Sequence, residues 1–135
     1  MARQWSHSEC FEFYDVQPKN PRWSCSGRSA DGKTVAVTLW QDRFLEGGRV
    51  YRNFDSDRPG EWRSRPGFVE LLDNLEYAAR HLDGAVRIIL AKAKDRNASP
   101  RSIERSWPQP NMLMRVTALN RDEGKFILER IDPPA

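Results

Sequence analysis

The most regular hydrophobic pattern in the chain lies between residues 66 and 82. Apolar residues recur there at three- and four-residue intervals, the spacing that puts side chains on one face of an α-helix. Pro66 suits the first helical turn, Ser64 can cap it, and Gly84 is placed to end it. The pattern predicts a long amphipathic helix from Pro66 to Leu82. Its buried stripe consists of Phe68, Leu71, Leu72, Leu75, Ala79 and Leu82.

Two apolar segments on either side of a turn predict a β-hairpin nearer the N-terminus. The turn-forming cluster Ser29–Gly32 separates residues 23–28 from residues 33–41, and both segments are typical of strands. Successive side chains of a strand alternate between its faces. Trp40 therefore falls on the more polar face of the second strand, where an indole needs either a covering element or a ligand. The apolar face carries Val35, Val37 and Leu39.

Weaker signals predict the remaining elements. Ser6 and Glu9 have capping-box spacing, which predicts a short helix from about residue 7 to residue 15 that buries Phe11 and Tyr14. Residues 43–66 form a weakly periodic loop with several glycines and prolines, and a loop of that length in a small domain is usually functional or mobile. Further strands are predicted at Val50–Phe54, Val86–Ala93, Met112–Leu119 and Lys125–Ile131.

Together these elements predict an α+β fold in one domain that spans residues 1–135. We expect a mixed, mostly antiparallel sheet of about five strands, with one long amphipathic helix packed on it and a short N-terminal helix. A hydrophobic content of 39% and an aromatic content of 10% are typical of a folded chain rather than a disordered one. Trp5 and Trp23 are predicted to be buried.

The distribution of charge favours a nucleic-acid partner. Arginine outnumbers lysine 17 to 5, and each of the five tryptophans has an arginine within three positions. Residues 43–65 and 92–105 carry an excess of basic residues, whereas residues 70–83 carry four acids against Arg80. A basic flank opposite an acidic helix is typical of a nucleic-acid binder, because guanidinium groups grip phosphates and indoles stack on bases.

Residues that could carry metal-dependent or hydrolytic chemistry are few and scattered. His7, Cys10, Cys25 and His81 suit zinc chemically, but only His7 and Cys10 are close in sequence, whereas zinc sites normally use two tight pairs. A Cys–His dyad has no local support. The strand end at Leu90–Lys94 lacks the acid of a restriction-type nuclease core, and no phosphate-cradling glycine loop is present. We therefore predict no metal, no cofactor and no catalytic residue.

The composition of the chain also predicts its cellular compartment. Two cysteines do not make a disulfide framework, and the polar N-terminal residues do not look like a secretory signal. No apolar run approaches the length of a membrane span. We expect a cytoplasmic protein with reduced thiols and no membrane partner.

Nucleic-acid binding is the interpretation that the basic segments support best. Basic residues follow the predicted strand 86–93 and also precede the long helix, whose N-terminus attracts phosphate. Basic residues are expected to contact phosphates, and tryptophans to supply stacking or methyl contacts. The predicted nucleic-acid-binding residues are Trp40, Arg43, Arg49, Arg52, Trp62, Arg63, Arg65, Lys92, Lys94, Arg101, Arg105 and Trp107.

Two segments of the chain resemble N-terminal domains fused to HNH endonucleases. The first is Asn20-Pro21-Arg22-Trp23-Ser24 followed by Val37-Thr38-Leu39-Trp40-Gln41-Asp42; the second is Lys94-Asp95 with Pro100-Arg101-Ser102-Ile103. The predicted order of elements is also similar to the modified-cytosine-reading domain of McrA-type restriction endonucleases. The resemblance implies family positions at Trp23, Ser24, Trp40, Gln41, Asp42, Lys94, Asp95 and Arg101.

No part of the chain resembles the nuclease half of those proteins, so the resemblance implies reading without cleavage. Our leading hypothesis is a non-catalytic domain that binds duplex DNA, with a preference for 5-methylcytosine and a separate nuclease or effector protein as partner. Two alternatives stay open. One is binding of single-stranded nucleic acid through stacking on exposed indoles. The other is a tryptophan-rich module that binds another protein.

Overall fold

A computed structural model describes residues 4–20, 23–53, 66–95, 97 and 102–131. Within these residues the chain forms two α-helices and one eight-stranded sheet. Neither described helix has the length and apolar character needed to cross a membrane. The helices are α1 (His7–Phe13) and α2 (Pro66–His81), and the strands are β1 (Val16–Gln17), β2 (Ser26–Ser29), β3 (Val35–Trp40), β4 (Phe44–Leu45), β5 (Val50–Arg52), β6 (Ala85–Ala93), β7 (Ile103–Asn120) and β8 (Lys125–Ile131).

The sheet is mixed and bends back on itself. Its order is β1-β2-β3-β6-β7-β8-β5-β4, in which β3 and β6 run parallel and the other neighbouring strands run antiparallel. A parallel pair needs a crossover connection, and α2 lies in that connection. Although three strands separate β3 from β5, the backbone nitrogen of Trp40 lies 3.4 Å from the hydroxyl oxygen of Tyr51. The far edge of the sheet therefore approaches the end of β3.

The main core lies between α2 and one face of the sheet. The predicted helix is confirmed and ends at His81, one residue before the expected end. Ala79 was expected in the buried stripe but is exposed, and Ala78 is buried in its place. The core side chains of α2 and its facing strands are Leu71, Leu72, Leu75, Ala78, Val35, Val37, Leu39, Val86, Ile88, Leu90, Met114, Phe126 and Leu128.

The opposite face of β3 and β6 is covered by α1. Ser6 and Glu9 form the predicted capping box, because each side chain accepts a hydrogen bond from the other residue's backbone N–H. The helix ends at Phe13, two residues before the expected end, and Asp15 adopts a left-handed backbone with φ of 57°. Tyr14, predicted to be buried, is only half-buried. The buried cluster between α1 and the sheet consists of Cys10, Phe11, Val16, Ala36 and Ile89.

The docking of α1 can be tested through pH. The Nε2 atom of His7 lies 2.8 Å from the hydroxyl oxygen of Thr38, and burial lowers the pKa of His7 below its usual 6.5. The folded state therefore binds a proton at His7 less readily than the unfolded chain does. The stability contributed by neutral His7 is complete above pH 6.5 and is lost as the pH falls below that value. We expect the free energy of unfolding to fall between about pH 7 and about pH 5.5.

Urea titrations followed by tryptophan fluorescence would measure this dependence. The decrease should be smaller in a His7→Gln variant, which has nothing to protonate at that site. His81→Gln is the matched control, since His81 is exposed and lies against the Tyr77 ring on α2. An unchanged pH dependence in His7→Gln would contradict the role of His7.

The largest departure from the sequence-based prediction is β7. Its first half pairs with β6, where a basic loop was expected. Pro108 and Pro110 make this half look like a loop, because proline cannot donate to a strand ladder. Pro108 instead pairs with Ile89, directly beside an irregularity in the β6–β7 register. With β1 and β4 only two residues long, the sheet has eight strands in the described residues rather than about five.

Acidic side chains of α2 form hydrogen bonds and ion pairs with other segments of the chain. Glu70, expected on an acidic helix surface, is buried and accepts hydrogen bonds from the Ser24 hydroxyl (2.5 Å) and the Lys19 backbone N–H (2.8 Å). Asp73 and Glu76 both bind the guanidinium of Arg121, at 2.6 and 2.7 Å. These acidic residues therefore join α2 to the segment before β2 and to Arg121, which follows β7.

Candidate nucleic-acid interface

A cleft of about 610 Å³ opens where the two parallel strands end. Because β3 and β6 are parallel neighbours, their carboxyl ends lie at the same edge of the sheet. In open α/β sheets, crevices at the carboxyl ends of parallel strands are the usual ligand sites, and the volume of this cleft lies within the range of small-molecule sites. The described residues that line the cleft are Gln41, Asp42, Lys92, Ala93, Lys94, Asp95 and Asn97.

Local backbone structure positions both sides of the cleft. On one side, β3 continues directly into a single 3-10 turn, Gln41–Arg43. On the other, the backbone N–H of Lys94 donates to the carbonyl of Ser102 (3.0 Å), which joins the segment after β6 to the start of β7. The Asp95 carboxylate accepts from the backbone N–H of Asn97 (2.9 Å), so its side chain is held by a local turn.

The charges around the cleft are mixed. Lys92 and Arg105 lie opposite each other on β6 and β7, and both are exposed. The Lys92 ammonium lies 3.2 Å from the carboxylate of Glu104, whereas Lys94 has no ion-pair partner among the described residues. Arg43 ends the 3-10 turn, directly after the lining residue Asp42. In the described part of the chain, these four basic residues therefore lie near three acidic ones, Asp42, Asp95 and Glu104. The site is less uniformly basic than expected.

The structure brings only some of the predicted binding residues together. Lys92 and Lys94 line the cleft, and Arg105 is adjacent to Lys92. Trp40 ends β3 and Arg43 ends the 3-10 turn that follows it. Both are next in sequence to lining residues, but neither lines the cleft. Arg49 and Arg52 belong to the turn before β5 and to β5 itself, and they do not line the cleft. Trp62, Arg63, Arg65 and Arg101 lie outside the described residues.

The tryptophans differ from expectation. Trp23, predicted to be buried, is 40% exposed and is the most exposed indole in the described part of the chain. Trp5 is half-buried, with its ring edge-on to Phe13 at 5.6 Å. Trp107 is half-buried against the main core, and the Arg105 guanidinium lies 5.6 Å from its ring centroid. Trp107 therefore packs on the core and near the Arg105 guanidinium, and it does not line the cleft.

Sequence reasoning missed two lining residues. Ala93 is the last residue of a strand that was read only as core, and it lines the cleft although it is buried. Asn97 lies in a loop, where the only available signal was the spacing Asp95-x-Asn97, which is typical of an Asx turn. The lining residues Gln41, Asp42 and Asp95 were indicated by the family resemblance alone.

The candidate zinc ligands do not line this cleft and do not come together in one site. His7 contacts Thr38, Cys10 contacts Ser106, and His81 lies against Tyr77. Across the described ranges, no three His, Cys, Asp or Glu side chains are grouped to hold a metal ion. Burial and the nearby Glu70 raise the pKa of Cys25 to about 12, so its sulfur stays a thiol and is a poor nucleophile.

Comparison with known proteins adds no relative. The chain matches no protein-family model, no curated protein and no solved structure. The resemblance to McrA-type reading domains therefore stays a prediction from two sequence segments. Residues of both segments, Gln41, Asp42, Lys94 and Asp95, line one cleft.

Proposed function

We propose that this chain is a non-catalytic DNA-binding domain that engages duplex DNA at the cleft between the ends of β3 and β6. One observation carries the proposal: the cleft joins two lysines, Lys92 and Lys94, to amide and carboxylate side chains, with two arginines beside it. Lysine and arginine bind phosphates, while Asn, Gln and Asp side chains match the polar edges of bases. A nucleic acid is the ligand that presents both.

A preference for modified cytosine is part of the proposal. The 5-methyl group of cytosine projects into the major groove, where small apolar side chains such as alanine can contact it. Ala93 is the apolar residue of the described cleft lining. Burying one methyl group is worth about 0.8 kcal/mol, so two in a symmetric site give about 1.6 kcal/mol, roughly a fifteenfold preference. Phosphate contacts must supply most of the affinity.

A binding experiment on one labelled duplex tests this function. The duplex is compared unmodified, symmetrically 5-methylated and as separated strands, each over a range of salt concentrations. With Arg43, Lys92, Lys94 and Arg105 each neutralising one phosphate, log affinity should fall with log salt at a slope of about −3 to −4. The methylated duplex should bind roughly fifteenfold more tightly than the unmodified one.

The same experiment separates the rival functions. Tighter binding of separated strands, with quenching of tryptophan fluorescence, would favour stacking on exposed indoles such as Trp23. Absence of binding to all three forms at low salt would overturn the DNA proposal and favour a protein-interaction module.

We place this binding in the cytoplasm, with cleavage supplied by a separate nuclease or effector protein. Cys10 and Cys25 are both free thiols, which suits a reducing compartment.

A further inference from the structure

We propose that the chain pairs with a second copy of itself through the side of the sheet that α1 covers only in part. On that side, Cys10 and Phe11 of α1 pack on Ala36 of β3 and Ile89 of β6. The sheet continues beyond β6 through the second half of β7 to β8 and β5. This surface is separate from the cleft, and the inference does not depend on DNA binding.

Alternation along the strands shows which other side chains share this side. Arg87 lies two residues before Ile89 on β6, so it faces the same way as that α1 contact. Residues paired across neighbouring strands share a face, and the strand registers extend this side from β6 across β7 and β8 to β5. We call this surface the open sheet face, and its aliphatic members are Val50, Leu113, Ile127 and Ile131.

The open sheet face is aliphatic and basic. Its four aliphatic residues are half-buried, and none of them belongs to the two described core clusters or to the side chains packed on those clusters. Among its charged residues, Arg52, Arg87 and Arg115 are exposed. The nearby acids are Glu129, which is paired with Arg115 across β7 and β8, and Asp83, whose carboxylate lies 3.3 Å from the Arg115 guanidinium. A partner that covers this face should therefore be apolar and acidic.

The outer surface of α1 has this complementary character. Glu9, Glu12 and Phe13 have the spacing i, i+3 and i+4, which places them on one face of the helix. Phe13 is 48% exposed, the highest value among the large apolar side chains of the described residues. Its ring makes edge-on contacts with Trp5 at 5.6 Å and with Tyr14 at 5.0 Å. An exposed aromatic ring that its neighbours hold in place is a typical anchor of a protein interface.

The two surfaces adjoin on one side of the chain. The Tyr14 hydroxyl, at the end of α1, donates to the carbonyl of Ile88 at 2.8 Å. Burial raises the pKa of Tyr14 to about 12, and the nearby charge of Arg87 opposes this rise. The end of α1 therefore borders the open sheet face.

A two-fold axis makes these adjoining surfaces complementary to a second copy. It places α1 of each copy on the open sheet face of the other, so every contact is made twice. Acidic groups then meet basic ones, and Phe13 meets aliphatic side chains. DNA does not suit this side of the molecule, because residues 4–18 include three acids and neither lysine nor arginine.

Sedimentation velocity of the full chain over a wide concentration range would measure this pairing. We expect a monomer–dimer equilibrium with a dissociation constant of about 100 µM or lower. Phe13→Ala should raise that constant at least about tenfold, because it removes the aromatic anchor. Trp23→Ala is the matched control, since Trp23 is a comparably exposed ring that lies against Gly67 of α2.

A charge exchange between two variants tests the geometry of the pairing. In the homodimer of Glu12→Arg, two basic surfaces would face each other, and in the homodimer of Arg52→Glu with Arg87→Glu, two acidic ones would. Each variant alone should dimerise at least about tenfold more weakly than the wild type. An equimolar mixture of the two should associate to within about threefold of the wild type, because each contact of the mixed dimer joins opposite charges.

A second double variant controls for net charge. Lys33→Glu with Arg80→Glu changes two exposed residues elsewhere, one on α2 and one beside Gly32, whose carbonyl accepts from the Tyr77 hydroxyl of α2. This variant should dimerise as the wild type does.

A wild-type chain that stays monomeric at every concentration would overturn the inference. So would dimers that neither Phe13→Ala nor the charge variants weaken, or a mixture that stays monomeric. None of the residues changed in these variants lines the cleft, so each variant should keep its binding of duplex DNA. Failure of the wild type to bind duplex would remove the proposed function and leave the pairing intact.

Discussion

Replacing Lys92, Lys94 and Arg105 together with glutamine should weaken duplex binding on the order of a hundredfold or more at about 50 mM salt. Lys92 and Lys94 lie at the end of β6, and Arg105 is the residue of β7 that pairs with Lys92. The three side chains therefore form one local source of positive charge. Each phosphate contact that is lost removes about 0.9 from the slope of log affinity against log salt. The slope should therefore become shallower by about three units, which fluorescence anisotropy at several salt concentrations would measure.

The matched control removes the same amount of charge far from the cleft. Arg80 lies near the end of α2, Arg87 near the start of β6 and Lys125 at the start of β8, and all three are exposed. Their triple glutamine variant should bind duplex within a few-fold of the wild type. Equal losses in the two triple variants would mean that binding follows net charge, and the cleft would lose its assignment.

Replacing Glu70 with alanine should lower the free energy of unfolding by about 2–4 kcal/mol. Glu70 is only 4% exposed and accepts from the Ser24 hydroxyl and the Lys19 backbone N–H. Ser24 is itself buried, so the substitution leaves a buried hydroxyl without its acceptor and opens a cavity in the same place. Chemical denaturation of the two proteins at neutral pH would measure the difference.

Asp73→Ala is the control on the same helix, with the same loss of one negative charge. Asp73 pairs with Arg121 at 2.6 Å, but its side chain is 43% exposed and Glu76 remains to bind the guanidinium. Exposed pairs of this kind contribute about 0.2–1 kcal/mol. If Glu70→Ala lowered the free energy of unfolding as little as Asp73→Ala does, the buried contacts of Glu70 would add little to stability.

The connection made by Glu70 matters because it fixes the segment before β2. In that segment the Trp23 carbonyl packs so closely on Gly67 that a side chain there would collide with it. The Cys25 sulfur also contacts the Gly67 carbonyl at 3.6 Å. The first turns of α2 therefore hold the strand pair β2–β3 in place, and β3 in turn leads into one wall of the cleft.

The elements that periodicity predicts well are those with one dominant hydrophobic face. The 3.6-residue spacing of Leu71, Leu72 and Leu75 defines α2 to within one residue of its end, and alternation defines β3. The capping box at Ser6 and Glu9 likewise marks the start of α1. In each case neighbouring residues are enough to predict the local conformation, although the hydrogen-bond partners of β3 lie on β2 and β6.

Prediction from sequence fails where contacts between segments far apart in the chain determine the structure. The first half of β7 is a strand because β6 pairs with it, despite two prolines. Glu70 is buried because Ser24 and Lys19 are brought to it, and Trp23 is exposed although it was predicted to be buried. None of these contacts is encoded in the spacing of nearby residues.

Local patterns in the chain are enough to predict an α+β fold with a long amphipathic helix, an N-terminal hairpin and an arginine-rich surface. They do not predict that the segments around Asp42 and Lys94 meet, which follows from tertiary pairing. The parallel pairing of β3 with β6, made through the α2 crossover, places Asp42 and Lys94 at one edge of the sheet. Pairing between strands far apart in sequence depends on the whole core, because a strand's local pattern states which face is buried and not which neighbour it joins.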